Sequence, residues 1–303
     1  MLERRPVRIT RFQTHIAGIV SMKLNMVVAA ATFVAVPVSY AHAQAAGKTL
    51  AMDFRTTISI QGEPDSAVMV GHAIGTADKM RVEVKPSGRQ VAPLTTDSVV
   101  TMILTDSGKT ITYIDAKKNQ YLRVRPAEMV TQAQQMGAMK MDFSGTEAKV
   151  DNLGAGPAIL GHPTSHYRVS TGMTMTINAM GQQQTVKIAS TTDSYYATDI
   201  KTVLNPFASL SGSDMANMFG SANTEFADKL KAAQAKLPKG TPLRASSSAT
   251  IVAQGQTRVT KTSAEVTGLQ WVDADSKAFE VPANYTAVPL PSMAAPPAAI
   301  PPK

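Results

Sequence analysis

His162 and His166 stand in an H-x3-H spacing, and two short runs concentrate methionine. These are Met136, Met139 and Met141 in MGAMKM, and Met173, Met175 and Met180 in GMTMTINAM. Imidazoles four residues apart bind zinc when a helix brings them onto one face. Here Pro163 and the alternation that follows place both at the start of a strand, on its polar side, with no cysteine or third ligand nearby. No metal site is expected, and the histidines read as surface residues. The methionine thioethers are soft donors that can select Cu(I). They are also flexible apolar groups that fill irregular gaps and line adaptable pockets, which is the preferred reading.

Other motifs are weaker. Gly154-x-Gly156 lacks the third glycine of a dinucleotide loop, because Ile159 stands in its place, and Pro157 disturbs the helix start that such a loop requires. There is no G-x-S-x-G, no H-E-x-x-H and no P-loop. With no catalytic constellation, the chain is expected to be non-enzymatic and without a cofactor.

The methionines need an element to aim them. From Ser165 to Ala179 every odd position is small or apolar, while the even ones run His166, Arg168, Ser170, Gly172, Thr174, Thr176 and Asn178. A period of two is strand. At about 3.3 Å per residue such a segment exceeds the usual strand length, so a bend is expected, at Gly172. The turn Gly181-Gln182-Gln183 returns it along Thr185 to Tyr196. A long hairpin that is apolar on one side belongs to an antiparallel sheet with one covered face.

The remainder supplies more strands and the cover. Leu50 to Ile60 alternates, as do Val68 to Ile74 and Met80 to Lys85, and the turns Asp106-Ser107-Gly108 and Lys117-Lys118-Asn119 mark further strands at Val99 to Thr105, Lys109 to Asp115 and Gln120 to Val124. Pro126 then opens a helical period through Met129, Val130, Ala133 and Met136. After a polar stretch, Ala148 to Leu153 reads as strand and Gly154 to Pro157 as loop. Asn205-Pro206, Ser213-Asp214 and Thr224-Glu225 can each begin a helix. The second presents Met215, Met218 and Phe219 on one face, and the third Phe226, Leu230, Ala233 and Leu237. Strands at Leu243 to Ala253, Gln256 to Val266, Leu269 to Val272 and Phe279 to Pro282 finish the chain.

This order predicts an α+β, mainly β fold in one domain over 46–286: a strongly curved antiparallel sheet, a half-barrel, with a helical lid on the concave face near 126–137 and 205–237. Met173, Met175 and Ile177 face the lid from the sheet. Met129, Met136, Phe219 and Phe226 meet them from the helices, with Trp271 beside them as a further apolar lining residue.

The ends are not part of that domain. Met26 to Val36 is an unbroken apolar run after a charged start, and Ala41-His42-Ala43 or Ala43-Gln44-Ala45 offers a cleavage site, so 1–45 reads as a targeting segment with translation beginning at Met1 or Met22. The run is too short to span a bilayer. Of the 30 basic and 22 acidic residues, Arg4, Arg5, Arg8, Arg11, Lys23 and only Glu3 lie in that segment, so its loss lowers the formal net charge from +8 to +4. No basic run with interleaved aromatics remains to suggest nucleic acid. There is no cysteine, hence no disulfide and no N-terminal lipid anchor at the cleavage site. The product is expected to be soluble and periplasmic, without stable membrane insertion. Residues 287–303 are proline-rich and read as an extended disordered tail that could serve a scaffold role by docking to a partner.

Several short motifs carry a resemblance. Ile159-Leu160-Gly161-His162 followed by Tyr167, Tyr195-Tyr196-Ala197-Thr198-Asp199, Gly240-Thr241-Pro242-Leu243, and Val259 to Glu265 with Phe279 to Tyr285 resemble a domain-of-unknown-function family of exported bacterial proteins. That family is similar to the LolA-like lipoprotein-carrier superfamily, over about Leu50 to Tyr285. The resemblance implies a half-barrel closed by a helical lid over an apolar cavity, and binding of a hydrophobic ligand such as an acyl chain or lipoprotein segment. It departs from the carriers in having strand, not an amphipathic helix, before position 60, and in lacking a match to their functional arginine. A lipoprotein-shuttling role is therefore not implied. The alternative expectation is a methionine-rich copper-handling protein.

Overall fold

A computed structural model describes residues 48–63, 67–87, 99–129, 140–179, 182–200, 204, 224–273 and 275–289. The described residues are mainly β and form one open sheet of twelve strands. The strands are β1 (Lys48–Ile60), β2 (Ala67–Gly75), β3 (Met80–Ser87), β4 (Val100–Thr105), β5 (Thr110–Asp115), β6 (Gln120–Val124), β7 (Lys140–Ile159), β8 (His162–Ala179), β9 (Gln182–Ala197), β10 (Thr241–Ala253), β11 (Gln256–Asp273) and β12 (Thr286–Ala287). Helix α1 spans Thr224–Gln234. The spatial order is β12-β6-β5-β4-β3-β2-β1-β11-β10-β9-β8-β7.

Two meanders thus join where the first strand meets the last long one. β1 pairs with β2 on one side and with β11 on the other, along thirteen residues from Lys48↔Asp273 to Ile60↔Thr260. The pairs are antiparallel as the short turns require, except that β12 lies parallel to β6. Ala287 and Val288, the first residues of the expected tail, are engaged there: Ala287 aligns with Tyr121, and the Val288 N–H donates to the Tyr121 carbonyl at 2.8 Å.

One face of the sheet is apolar. Leu50, Met52 and Phe54 of β1 pack with Met80, Val82, Leu104, Leu243, Ala264 and Val266, and with Ile159, Ile200 and Leu204 from outside the central strands. A second cluster gathers Val169, Met173, Met175, Val186, Ile188 and Ile251 with Phe226 and Leu230 of α1. On the opposite face, near β4 and β5, the 3-10 turn Ser276–Phe279 sets Phe279 against Ile103 and Ile114. That turn replaces part of the strand expected at Phe279 to Pro282. A proline has no N–H to give, and the Asp275 side chain accepts from the Lys277 N–H and caps the turn instead.

Two further corrections concern the long hairpin. β7 is strand from Lys140 to Ile159, through the stretch expected to be polar connection and loop, with register shifts at Ser144/Glu147, Asn152/Gly154 and Gly156/Ile159. These bulges break the period of two, so alternation could not show the strand. The return turn is also tighter than expected: Ala179 aligns with Gln182, so Gln182 and Gln183 belong to β9. The β8–β9 register runs unbroken through Gly172, where a bend was expected. The expected helices over 130–137 and 205–223 lie outside the described residues.

Candidate functional site

The register of the inner strands fixes what faces α1. Met173 lies opposite Ile188, which lies opposite Ile251; Met175 lies opposite Val186 and, on β7, Phe143. Because side chains alternate, the odd residues of β8 point together, and Val169, Met173 and Met175 are all buried. Phe226 and Leu230 are one helical turn apart on α1, and Ala233 continues the stripe, so the helix buries one face. The Phe226 ring and Leu230 complete the cluster around the two methionines, and Ile177 packs at its margin.

Polar contacts join α1 to a β7 bulge. The register shift between Ser144 and Glu147 contains Gly145, with φ of 57°, and Thr146. Lys229 Nζ donates to the Thr146 carbonyl at 2.9 Å, and to Glu225 Oε1 at 2.6 Å across one helical turn. The Thr146 hydroxyl donates to the same carboxylate at 3.3 Å. The hydrogen bond from Lys229 keeps the Glu225 carboxyl below its ordinary range.

Of the lining residues expected from sequence, Met173, Met175, Ile177 and Phe226 come together. Met129 and Trp271 do not: they are 38% and 40% exposed and belong to neither apolar cluster. Trp271 lies beyond Glu265, where the β10–β11 pairing ends, so among the described strands β11 has only β1 beside it there. Met129 is the last described residue of the helical turn that begins at Pro126, and its N–H donates to the Arg125 carbonyl at 3.2 Å. Met136 and Phe219 lie outside the described residues.

The other face carries the charge. Across β8, β9, β10, β11 and β1 one row reads His166, Tyr195, Arg244, Glu265, Arg55. His166 stacks on Tyr195 with ring centroids 4.4 Å apart, Arg244 lies 6.0 Å from the same ring, and Arg244 is hydrogen-bonded to Glu265. In the next row Arg168 donates to both oxygens of Asp193 at 3.0 Å, and His166 Nε2 is 2.9 Å from one of them. Burial alone would raise the Asp193 carboxyl; the hydrogen bonds from Arg168 and His166 outweigh it and hold it below the usual carboxylate range.

The H-x3-H pair is drawn apart by its aspartates. His162 Nδ1 meets Asp199 at 2.8 Å, whereas His166 meets Asp193. His72 likewise meets Asp53 at 2.8 Å, so each described histidine sits on its own carboxylate across a strand or loop. Among the described residues no three His, Cys, Asp or Glu side chains converge as a metal site.

Sequence reasoning missed a third feature, a band of hydroxyls on the inner face between the two apolar clusters. Thr262 of β11, Ser247 of β10 and Thr192 of β9 form one cross-strand row, with Ile58 at one end and Val169 at the other. Thr260, Ala249, Ser190 and Thr171 form the next. The signal was visible as Thr and Ser at inward positions of otherwise apolar alternation, but only the strand order aligns them. Comparison of the chain with models of known protein families and with curated proteins gives no match to either.

Proposed function

We propose that the protein is a soluble, exported, non-enzymatic binder of a hydrophobic ligand, an acyl chain or lipoprotein segment, held between the inner face of its sheet and a helical cover. In this reading the sheet curves as a half-barrel, α1 belongs to a lid on the concave side, and the chain works in a periplasm after loss of the segment ending at Ala43 or Ala45.

The observation that carries the reading is the burial of Met173 and Met175 against Phe226 beneath α1. Thioethers and an aromatic ring form an apolar surface that repacks around guests of different shape at little cost. The cover is held at its rim by the contacts among Glu225, Lys229 and Thr146. Exposed ion pairs of this kind exchange readily for water, so the helix can lift without a large electrostatic penalty. Among the described residues no helix is long and apolar enough to cross a membrane. Mass spectrometry of organic extracts from protein purified without detergent tests the reading: an acyl-bearing compound supports it, and an interior empty in every preparation counts against it.

A second reading rests on a separate observation. Met141, Met173 and Met175 belong to the same buried cluster, which gathers three soft donors for Cu(I). Titration with Cu(I) of wild type and of a Met141/Met173/Met175→Leu variant separates the two, since equal titrations remove the copper reading.

A further inference from the structure

The band of hydroxyls on the inner face is out of place in an apolar interior. Thr56, Thr260, Thr262 and Ser190 are at most 4% exposed, and their hydroxyl oxygens have no hydrogen-bond partner among the described residues. The register places all of them on the inward face: Thr56 lies opposite Ala264 and Met69, Thr262 opposite Ile58, Thr260 opposite Ile60 and Ala249, and Ser190 opposite Thr171 and Ala249. A buried hydroxyl without a partner has lost its water and gained nothing in return, and folded proteins rarely tolerate several together. Next to them the Thr192 hydroxyl donates to Ser247 at 3.1 Å, which shows that pairing is possible in this band where geometry allows.

Two other properties define what the band can receive. Its side chains are small, with Ala245, Ala249 and Ala264, all buried, between the hydroxyls. Its aligned described residues, from Thr56, Ile58 and Ile60 on β1 to Tyr167, Val169 and Thr171 on β8, include no charged side chain. A carboxylate or phosphate brought there would be buried without a counter-charge, which is strongly disfavoured. A neutral group that both donates and accepts is favoured, because it satisfies hydroxyls that otherwise stay unpaired.

We infer that this band is the subsite for the uncharged polar end of the ligand, an ester or glycerol hydroxyl of a neutral acyl lipid, whose chain extends over Ile188 and Ile251 toward Met173 and Met175. The inference rests on the hydrophobic-ligand reading above and adds the chemical class. Hydroxyls at Thr260, Thr262 and Ser190 meet the head; the thioether cluster beneath α1 meets the tail. The orientation follows from the strand register, in which the band and the methionine rows are successive rows of the same strands.

The test uses the full mature chain and displacement of N-phenyl-1-naphthylamine fluorescence by three probes of equal chain length: 1-monomyristoylglycerol, myristate and cyclodextrin-delivered tetradecane. The monoacylglycerol should displace the dye at a concentration roughly tenfold or more below the other two, the change expected when hydrogen bonds are gained without a buried charge. A Thr260→Val/Thr262→Val variant should lose that preference while tetradecane displaces as before. Its Tm should also rise, because valine keeps the shape and removes the unpaired oxygen. Equal displacement by all three probes, or a preference that survives in the variant, overturns the head-group subsite and leaves the hydrophobic-ligand reading standing. Failure of the dye and of every probe to bind overturns both.

Discussion

The Phe54 ring occupies the space in which a side chain at Gly71 would begin. A Cβ there would lie 2.8 Å from both ring Cε atoms and overlap Cζ between them. Phe54 and Gly71 are aligned across β1 and β2, so the glycine is the partner that lets a fully buried aromatic lie over its neighbouring strand. Gly71→Ala should force the ring from its position and destabilise the fold by about 1–3 kcal/mol, as overpacking does. Urea unfolding of the variant checks this. An unchanged midpoint would mean that the ring has another place to go.

Phe226 is the anchor of α1. Truncation to alanine removes a buried ring from the cluster that holds Met173 and Met175, and should cost about 3–5 kcal/mol. The loss should be felt first in α1, seen as faster amide exchange there than in β8 and β9.

Met173 and Met175 fill space by shape and not by any unique bond. Met175→Leu should cost less than about 1.5 kcal/mol, whereas Met175→Ala should cost about 2–5 kcal/mol. If the thioethers instead serve a metal, the leucine variant will change Cu(I) titration while leaving the melt almost unaltered.

Asp193 makes the outer face acid-sensitive. Its carboxyl is depressed in the folded state, so folded protein binds fewer protons there than unfolded protein. The stability it contributes is therefore present above the unfolded value of about 3.9 and is lost as pH falls through the lower folded value. Asp193→Asn should lower stability at neutral pH by on the order of 1 kcal/mol, discounted for the partial exposure of Arg168. Below pH 4 the wild-type Tm should fall more steeply than that of the variant, so the two melting curves converge on acidification.

Much of this arrangement was legible in the sequence where one face of a strand is buried and its register regular. Alternation and the turn residues between segments marked β1 to β6, β8, β9, β10 and most of β11, and the Phe226, Leu230, Ala233 spacing marked α1 with its buried face. Outside Ala148 to Leu153, β7 escaped because it is an edge strand with three bulges, and edges need fewer inward apolar residues to be held. Trp271 misled because size and hydrophobicity say nothing of neighbours, and at its position one neighbouring strand has ended. The pairing of His162 and His166 with separate aspartates, and the alignment of Thr262, Ser247 and Thr192, depend on which strands lie side by side. No local pattern encodes the meeting of β1 with β11, which joins the two meanders through pairs about two hundred residues apart.

The central claim, that an apolar guest sits between the sheet and α1, is tested most directly by mass spectrometry of the organic extract of detergent-free protein. The account predicts an acyl-bearing compound in roughly stoichiometric amount, displaced by N-phenyl-1-naphthylamine and diminished in Phe226→Ala. An extract free of acyl compounds, from protein that also takes up none of the dye, would contradict it.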